Sequence, residues 1–344
     1  MPNPTPTTDD HLGLRFDELI RDAGGEPDEM SGKLVREIMH TAVKLIRDEA
    51  DTGELKLISR SLKELRYAMR VFRDYRQVRK VSIFGSARTG EDEPAYAAAV
   101  ELARSMAEHG WMVITGAGGG IMRAGHGGAG REKSFGVAIR LPFETTANEY
   151  IEGDRKLIVF RYFFTRKLMF ASQAHAVALL PGGFGTQDEG FEILTLIQTG
   201  KTPIVPVVML DAPGGDYWPR WDRYVRNCLL DGQLISPEDR SLYYLADNVA
   251  DAVDHINRFY RVYHSMRMVR DDLVIRMQQP LHEKQIDTLN DEFADLIAAG
   301  RITATEALGP EQSHLDLPRL RFTFTRRDYG RLREMIDRLN AFDD

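Results

Sequence analysis

Between about residues 80 and 262 the sequence alternates short continuous apolar runs with helical patterns, and this rhythm limits the available folds more than any other feature. The runs are VSIFG, WMVITG, FGVAI, KLIVF, AVALLPGG and PIVPVVML. A strand with one wet face alternates apolar and polar residues, so runs that are apolar throughout belong to a sheet covered on both faces. The helical stretches between them supply the crossovers. In PAYAAAVELARSMAEHG, Pro94 suits a first helical turn and Gly110 a C-terminal cap. A parallel, doubly wound, Rossmann-like α/β domain follows.

The flanking regions read differently. Residues 1–79 form a helical extension behind a start, MPNPTPTTDDHLG, that reads as a disordered tail. Ile58, Leu62, Leu65, Met69 and Phe72 recur at steps of four and three, and Leu34, Ile38, Val43 and Ile46 make a similar stripe. Such stripes belong to packing or dimerisation helices. Residues 263–344 pair DLVIRM with the helical PLHEKQIDTLNDEFADLIAAG, and LRFTFT with RRDYGRLREMIDRLNAF. They read as a small α+β appendage.

Composition removes several classes of function. A formal net charge of −7 over 344 residues argues against binding a nucleic-acid polymer. Cys228 is the only cysteine, so it can form neither an intrachain disulfide nor a thiolate metal cluster, and it reads as a partly buried free thiol. The start lacks a basic segment followed by an apolar core, and no apolar run approaches the roughly 20 residues of a membrane span. A cytoplasmic location without a membrane partner is expected.

Ligands of doubly wound sheets bind beyond the carboxyl ends of the strands. Three strand ends here carry small residues: Gly85-Ser86 in FGSAR, Gly116 and Gly118 to Gly120 in TGAGGGIM, and the turn in PGGFGTQDE, residues 181–189. Glycine lets a ligand approach backbone amides closely, and a helix starting there aims unpaired N–H groups at an anion. Three such turns in one domain point to a phosphorylated ligand. Neither a G-x-G-x-x-G at the first strand nor a G-x-x-x-x-G-K-[ST] is present, which disfavours NAD and ATP sites of the usual kind.

Within PGGFGTQDE, Thr186 and Glu189 have the spacing of a capping box, with Asp188 in the first turn to suit the helix dipole. That reading leaves three glycines and a proline without a purpose, since a cap needs only one such residue. Upstream, FRYFFTRKLMF, residues 160–170, sets Arg161, Arg166 and Lys167 among aromatics and methionines. On a helix, Tyr162 and Arg166 share a face, as do Phe163 and Lys167. An arginine beside aromatic rings suits a phosphate joined to a flat base, and a solvated amphipathic helix suits the same residues.

Together these segments resemble the LOG (lonely guy) phosphoribohydrolases, a family often labelled lysine decarboxylase-like. Pro181 through Glu189 match the family's PGGxGTxxE motif, Arg166-Lys167 match its upstream pair, and VSIFGSAR and GGGIM follow the same order. The resemblance covers roughly residues 80–262. The flanking regions make the chain more like the longer bacterial nucleotide 5′-monophosphate nucleosidases. The resemblance implies hydrolysis of a nucleoside 5′-monophosphate, with AMP-like and other purine or pyrimidine monophosphates and cytokinin ribotides among the candidates, to free base and ribose 5-phosphate. It implies Glu189 and Arg166 as the catalytic pair, and a nucleotide pocket made by Gly182, Gly183, Gly185, Thr186, Ser86, Gly118, Gly119, Gly120, Lys167 and Met169. It also implies no metal, no cofactor, and an active site built in a homodimer or higher homo-oligomer.

Arginine stays protonated near neutral pH, so Arg166 is assigned to holding phosphate or the departing base, and the proton donor to that base is left open. Two departures bear on substrate. Arg123-Ala124-Gly125-His126 stands where many relatives read E-A-A-N, which bears on base preference, and His126 reads as a solvated loop residue. Gln187 replaces an apolar residue, a change expected to be minor. A non-catalytic nucleotide carrier or sensor is the alternative. Amino-acid decarboxylation would need a Schiff-base lysine, for which no context is recognisable.

Overall fold

The computed structural model describes residues 8–141 and 147–342. Its chain divides into two compact units, Met1–Arg66 and Tyr67–Asp344. The expected disordered tail lies outside the described residues up to residue 7. From Thr8 onward that stretch is helical instead.

The first unit holds α1 (Thr8–Asp22), α2 (Met30–Arg47) and most of α3 (Thr52–Arg73). Buried Phe16 and Ile20 anchor α1, and Arg36 Nε donates to Asp17 at 2.6 Å. The start of α3 is a reciprocal capping box. Glu54 N donates to Asp51 Oδ1 at 2.9 Å, and Asp51 N donates to Glu54 Oε2 at 2.8 Å. Leu34, Ile38, Ile46, Ile58 and Leu62 of the apolar stripes are exposed.

The second unit is built on a seven-stranded sheet ordered β4-β3-β2-β1-β5-β6-β7. Its strands are β1 (Lys80–Phe84), β2 (Met112–Thr115), β3 (Ser134–Ile139), β4 (Leu157–Phe160), β5 (Ala176–Leu179), β6 (Val207–Leu210) and β7 (Tyr244–Ala246). Every pairing is parallel. All the apolar runs named above contribute strands. The chain leaves β1 toward β2, β3 and β4, then returns to lay β5 on the other side of β1. That reversal makes the carboxyl ends of β1 and β5 the switch point, where a crevice opens. The crossovers are α4 (Pro94–Glu108), α5 (Ile121–Ala129), α6 (Phe163–Gln173), α7 (Phe184–Gln198) and α8 (Tyr217–Tyr224), which runs on into a π-helical turn over Val225–Leu230, and α9 (Val249–Phe259) follows the last strand. Pro94 begins α4, and Gly110 follows it at φ +85°, as its pattern implied.

The remainder adds an antiparallel sheet ordered β10-β11-β9-β8, from β8 (Tyr263–Val269), β9 (Asp272–Met277), β10 (Ile297–Thr305) and β11 (Arg319–Phe324), with α10 (Glu283–Glu292) and α11 (Tyr329–Asn340). The long helix read through PLHEKQIDTLNDEFADLIAAG is therefore shorter. It stops at Glu292, and Asn290 clamps the main chain of Ile302, accepting from its N–H at 2.8 Å and donating to its carbonyl at 3.0 Å. This region is fastened to the larger sheet's helices. The buried amide of Asn340 accepts from Val262 N and Tyr263 N at 2.8 and 3.0 Å and donates to Phe259 O at 2.7 Å. Glu311, whose side chain has no exposed surface, ties β9 to β11 by accepting from Arg276 Nε at 3.0 Å and Arg319 Nε at 2.9 Å.

Candidate active site

Ser86 knots three turns together at the sheet's carboxyl edge. Its N–H donates to the Pro181 carbonyl at 3.0 Å, and its own carbonyl accepts from Ile121 N at 3.0 Å. Its hydroxyl accepts from Arg88 N at 3.1 Å. The turns after β1, β2 and β5 are thus one hydrogen-bonded assembly.

The glycines divide by purpose. Gly120 sits at φ +57°, and a β-carbon there would strike the carbonyl of Ser86 and the main chain of Ala87. A β-carbon on Gly182 would strike the Thr186 hydroxyl, whereas Gly183 and Gly185 face open space. Gly120 and Gly182 are therefore small for packing, and Gly183 and Gly185 leave amides approachable.

Helix α7 corrects the expected capping box. It begins at Phe184 with Gly183 as its N-cap, and no side chain caps it. Thr186 is the third helical residue, Glu189 lies in the second turn, and the first turn holds no acidic residue, Asp188 included. Glu189 is thereby released from bonding its own helix start. The unpaired N–H groups of the first turn remain for a ligand.

A cleft of about 900 Å³ opens over this assembly. Of the residues expected at a nucleotide site, it is lined by Ser86, Arg166, Gly182, Gly183, Gly185, Thr186 and Glu189. The others lie elsewhere. Gly118, Gly119 and Gly120 are not on the lining but behind it, where Asn148 Nδ2 donates to the Gly118 carbonyl at 3.0 Å. Met169 is buried in the core at 1% exposure. Lys167 faces a separate small pocket on the far side of Glu189. Phe163, one of the aromatics noted beside Arg166, lines the cleft as well, together with Arg88 and Tyr217, which the sequence did not single out. Arg88 stood two residues after Ser86 and was open to notice. Tyr217 follows β6, and nothing local marks it.

Arg166 is set from below and above. Its Nε donates to the Val137 carbonyl at 2.9 Å, and its guanidinium carbon lies 5.2 Å from the centre of the Phe170 ring. A β-carbon on Gly116 would crowd its Nη2, so the bare glycine makes room for the guanidinium.

Glu189 is 12% exposed, and Lys167 Nζ stands 3.8 Å from its carboxylate. Among the described residues no donor hydrogen-bonds it. Burial pushes its pKa up to about 7, against the pull of Lys167 and Arg166 and with the help of Glu192 and Asp188. Lys167 spends its bonds on Asp188 at 2.8 Å and Glu192 at 2.7 Å. Burial would lower the Lys167 pKa, yet these bonds and the nearby carboxylates raise it.

Three further expectations change. His126 is fully buried rather than solvated, its ring within 3.0 Å of Thr115 Oγ1 and the Phe135 carbonyl, and burial lowers its pKa. Arg123 does not line the cleft and is held by Glu91 and Glu149. Cys228 is exposed rather than partly buried. Among the described residues no group of His, Cys, Asp and Glu could hold a metal ion, and no helix is long and apolar enough to cross a membrane.

A doubly wound sheet with a glycine turn, a seated arginine and an underbonded carboxylate at its switch point defines a Rossmann-like protein with a small-ligand cleft. Residues 119–256 match the family described as possible lysine decarboxylase. A cytokinin riboside 5′-monophosphate phosphoribohydrolase from Mycobacterium tuberculosis is 31% identical over 159 residues, spanning 45% of this chain and 81% of that relative. A probable enzyme of the same name from Oryza sativa is 28% identical over 181 residues, 51% of this chain and 74% of its own. Among solved structures, a molybdenum cofactor carrier protein from Chlamydomonas reinhardtii overlays with a TM-score of 0.37 at 22% identity, covering 53% of this chain and 97% of that one. The chain belongs to the LOG family.

Proposed function

We propose that the protein hydrolyses the N-glycosidic bond of a nucleoside 5′-monophosphate, releasing the base and ribose 5-phosphate. One observation carries this reading. A buried carboxylate with its pKa near 7 shares a cleft with Arg166 and with a helix N-terminus bare of side-chain caps. The names of the relatives from Mycobacterium tuberculosis and Oryza sativa support the same substrate class.

In this reading the 5′-phosphate rests on the N–H groups of Gly183 to Thr186, where the helix dipole favours negative charge. Breaking the ribosyl bond builds positive charge on the sugar. Glu189, poised between its protonation states at neutral pH, stabilises that charge when ionised and takes a proton from the attacking water. Arg166 donates hydrogen bonds to phosphate or the departing base and transfers no proton. Exposed Phe163 and Phe184 line the cleft, Phe164 and Leu168 are also exposed, and a second copy of the chain covers this apolar surface in the homo-oligomer this reading includes.

The test is a panel of AMP, GMP, CMP, UMP and a cytokinin ribotide, assayed for ribose 5-phosphate release. Turnover of at least one, lost in Glu189→Gln, is the expected result. Tight binding of all without turnover of any would replace hydrolysis by nucleotide carriage or sensing.

A further inference from the structure

The turn that cradles the ligand is gripped from outside. The Tyr217 hydroxyl lies 2.5 Å from the Gly182 carbonyl oxygen, and the side-chain amide of Gln187 lies 2.6 Å from the same hydroxyl. Only one arrangement of protons satisfies both contacts. A carbonyl can only accept, so the Tyr217 O–H donates to Gly182, and the Gln187 NH₂ donates to the tyrosine oxygen. The two residues held this way bracket the turn. Gly182 opens it, and Gln187 lies one helical turn beyond its end.

The turn needs such a grip. In a planar trans peptide the carbonyl of Gly182 and the N–H of Gly183 point in opposite directions, so pinning the oxygen fixes the amide. Gly182 is kept bare by the Thr186 hydroxyl, and Gly183 faces open space. Neither has a side chain to limit its rotation, and glycine is the freest of residues. Tyr217 is itself well seated. It is the first residue of α8; the next residue's N–H donates to Asp211 Oδ2 at 2.9 Å, and its ring meets Trp218 edge-on with centroids 4.9 Å apart.

We propose that Tyr217, braced by Gln187, is a positioning residue that holds the Gly182–Gly183 peptide in its phosphate-binding orientation. The proposal rests on the reading of this turn as the phosphate seat. It also gives Gln187 a purpose that its place in the motif did not suggest.

A phosphate remote from the breaking bond is held alike in ground and transition states, so loosening its seat raises KM and spares kcat. Tyr217→Phe keeps the ring and removes the donor. Its KM for the most active monophosphate is expected to rise about five- to tenfold, the worth of one hydrogen bond, with kcat within about twofold. Gln187→Leu should raise KM about two- to threefold, because the tyrosine hydroxyl survives. The double variant should be no worse than Tyr217→Phe alone, since Gln187 acts only through that hydroxyl. A purely structural pair would instead lower the melting temperature and the active fraction with KM unchanged, and that result overturns the proposal. So does strict additivity in the double variant.

A calorimetric titration with ribose 5-phosphate separates this proposal from the activity it rests on. Wild type that binds ribose 5-phosphate but hydrolyses nothing, with binding weakened in Tyr217→Phe, sustains the clamp and removes the hydrolytic reading. Hydrolysis with an unchanged KM in Tyr217→Phe removes the clamp alone. Wild type that neither binds ribose 5-phosphate nor turns over removes both.

Discussion

Glu311 and Glu189 are both buried beside cations, and the fold treats them in opposite ways. Burial alone would raise the pKa of Glu311, but bonds from Leu308 N, Arg276 and Arg319 outweigh it and hold the carboxyl below its ordinary value. Every lone pair there is engaged, so the group is ionised, fixed and chemically idle. Glu189 has one ammonium 3.8 Å away and no donor among the described residues, and burial wins, lifting its pKa to about 7. A carboxylate left underbonded beside an open cleft is costly to the fold and available to a substrate. The comparison teaches that satisfaction, more than burial, separates a carboxylate locked into the structure from one left available.

Exchanging each carboxylate for its amide tests this contrast most severely. Glu189→Gln should cost turnover about 10³-fold, the scale of a lost acid–base group, while the chain stays folded. Ribose 5-phosphate release together with a thermal melt measures both. Glu311→Gln should do the reverse, destabilising the chain by ~3–5 kcal/mol because two arginines are left buried without their anion, while kcat of the folded fraction holds within about twofold. Denaturant unfolding and active-site titration check it. If Glu311→Gln melted like wild type, the distinction would collapse.

The pH dependence of stability gives a smaller effect with a definite sign. Glu189 has its folded pKa raised from 4.5 to about 7, so the folded chain keeps a proton that the unfolded chain loses in that window. Its share of stability is present below pH 4.5 and declines as pH rises toward 7, by up to ~3 kcal/mol at 1.36 kcal/mol per unit. Glu311, with its pKa lowered, contributes above its ordinary value and loses that contribution as pH falls through the folded one. Melts of wild type against Glu189→Gln should therefore diverge between pH 5 and 8, with the amide variant the more stable at the upper end; parallel curves would show that Glu189 is not strained by burial.

The smallest predicted change concerns Lys167. Removing its charge in Lys167→Met should raise the Glu189 pKa further and move the acid limb of the rate profile upward by about one unit, losing severalfold activity at pH 7. A full pH–kcat/KM profile would show it, and an unmoved limb would place Lys167 outside the electrostatics of the site.

Much of this was legible beforehand because it depended on short-range pattern. The six apolar runs became strands because both faces of a parallel sheet are covered, which leaves no alternation to obscure them. The short β7 and the partly exposed β8 and β10 lacked that signature, and each was missed. Arg166 and Glu189 were singled out as a pair from motif and resemblance, and the cleft does bring them together. The capping box was misread because T-x-x-E spacing is necessary for that motif but not sufficient. Gly183 starts α7 three residues earlier without any side chain, and the same motif is realised instead at Asp51 and Glu54.

From sequence alone came the class of sheet, the glycine turns at its carboxyl edge, and the residue types able to hold a phosphate and a developing cation. These follow from periodicity and side-chain chemistry, which act over a few residues. Tertiary structure decided which glycines are packed and which face the cleft, that His126 is a buried brace, that Lys167 turns toward carboxylates, and that Tyr217 reaches the Gly182 carbonyl. Those outcomes depend on groups separated along the chain meeting in the fold, 11 residues apart for Thr115 and His126 and 35 for Gly182 and Tyr217, and on how much water their meeting excludes. Burial and orientation belong to the assembled sheet, so no single segment encodes them.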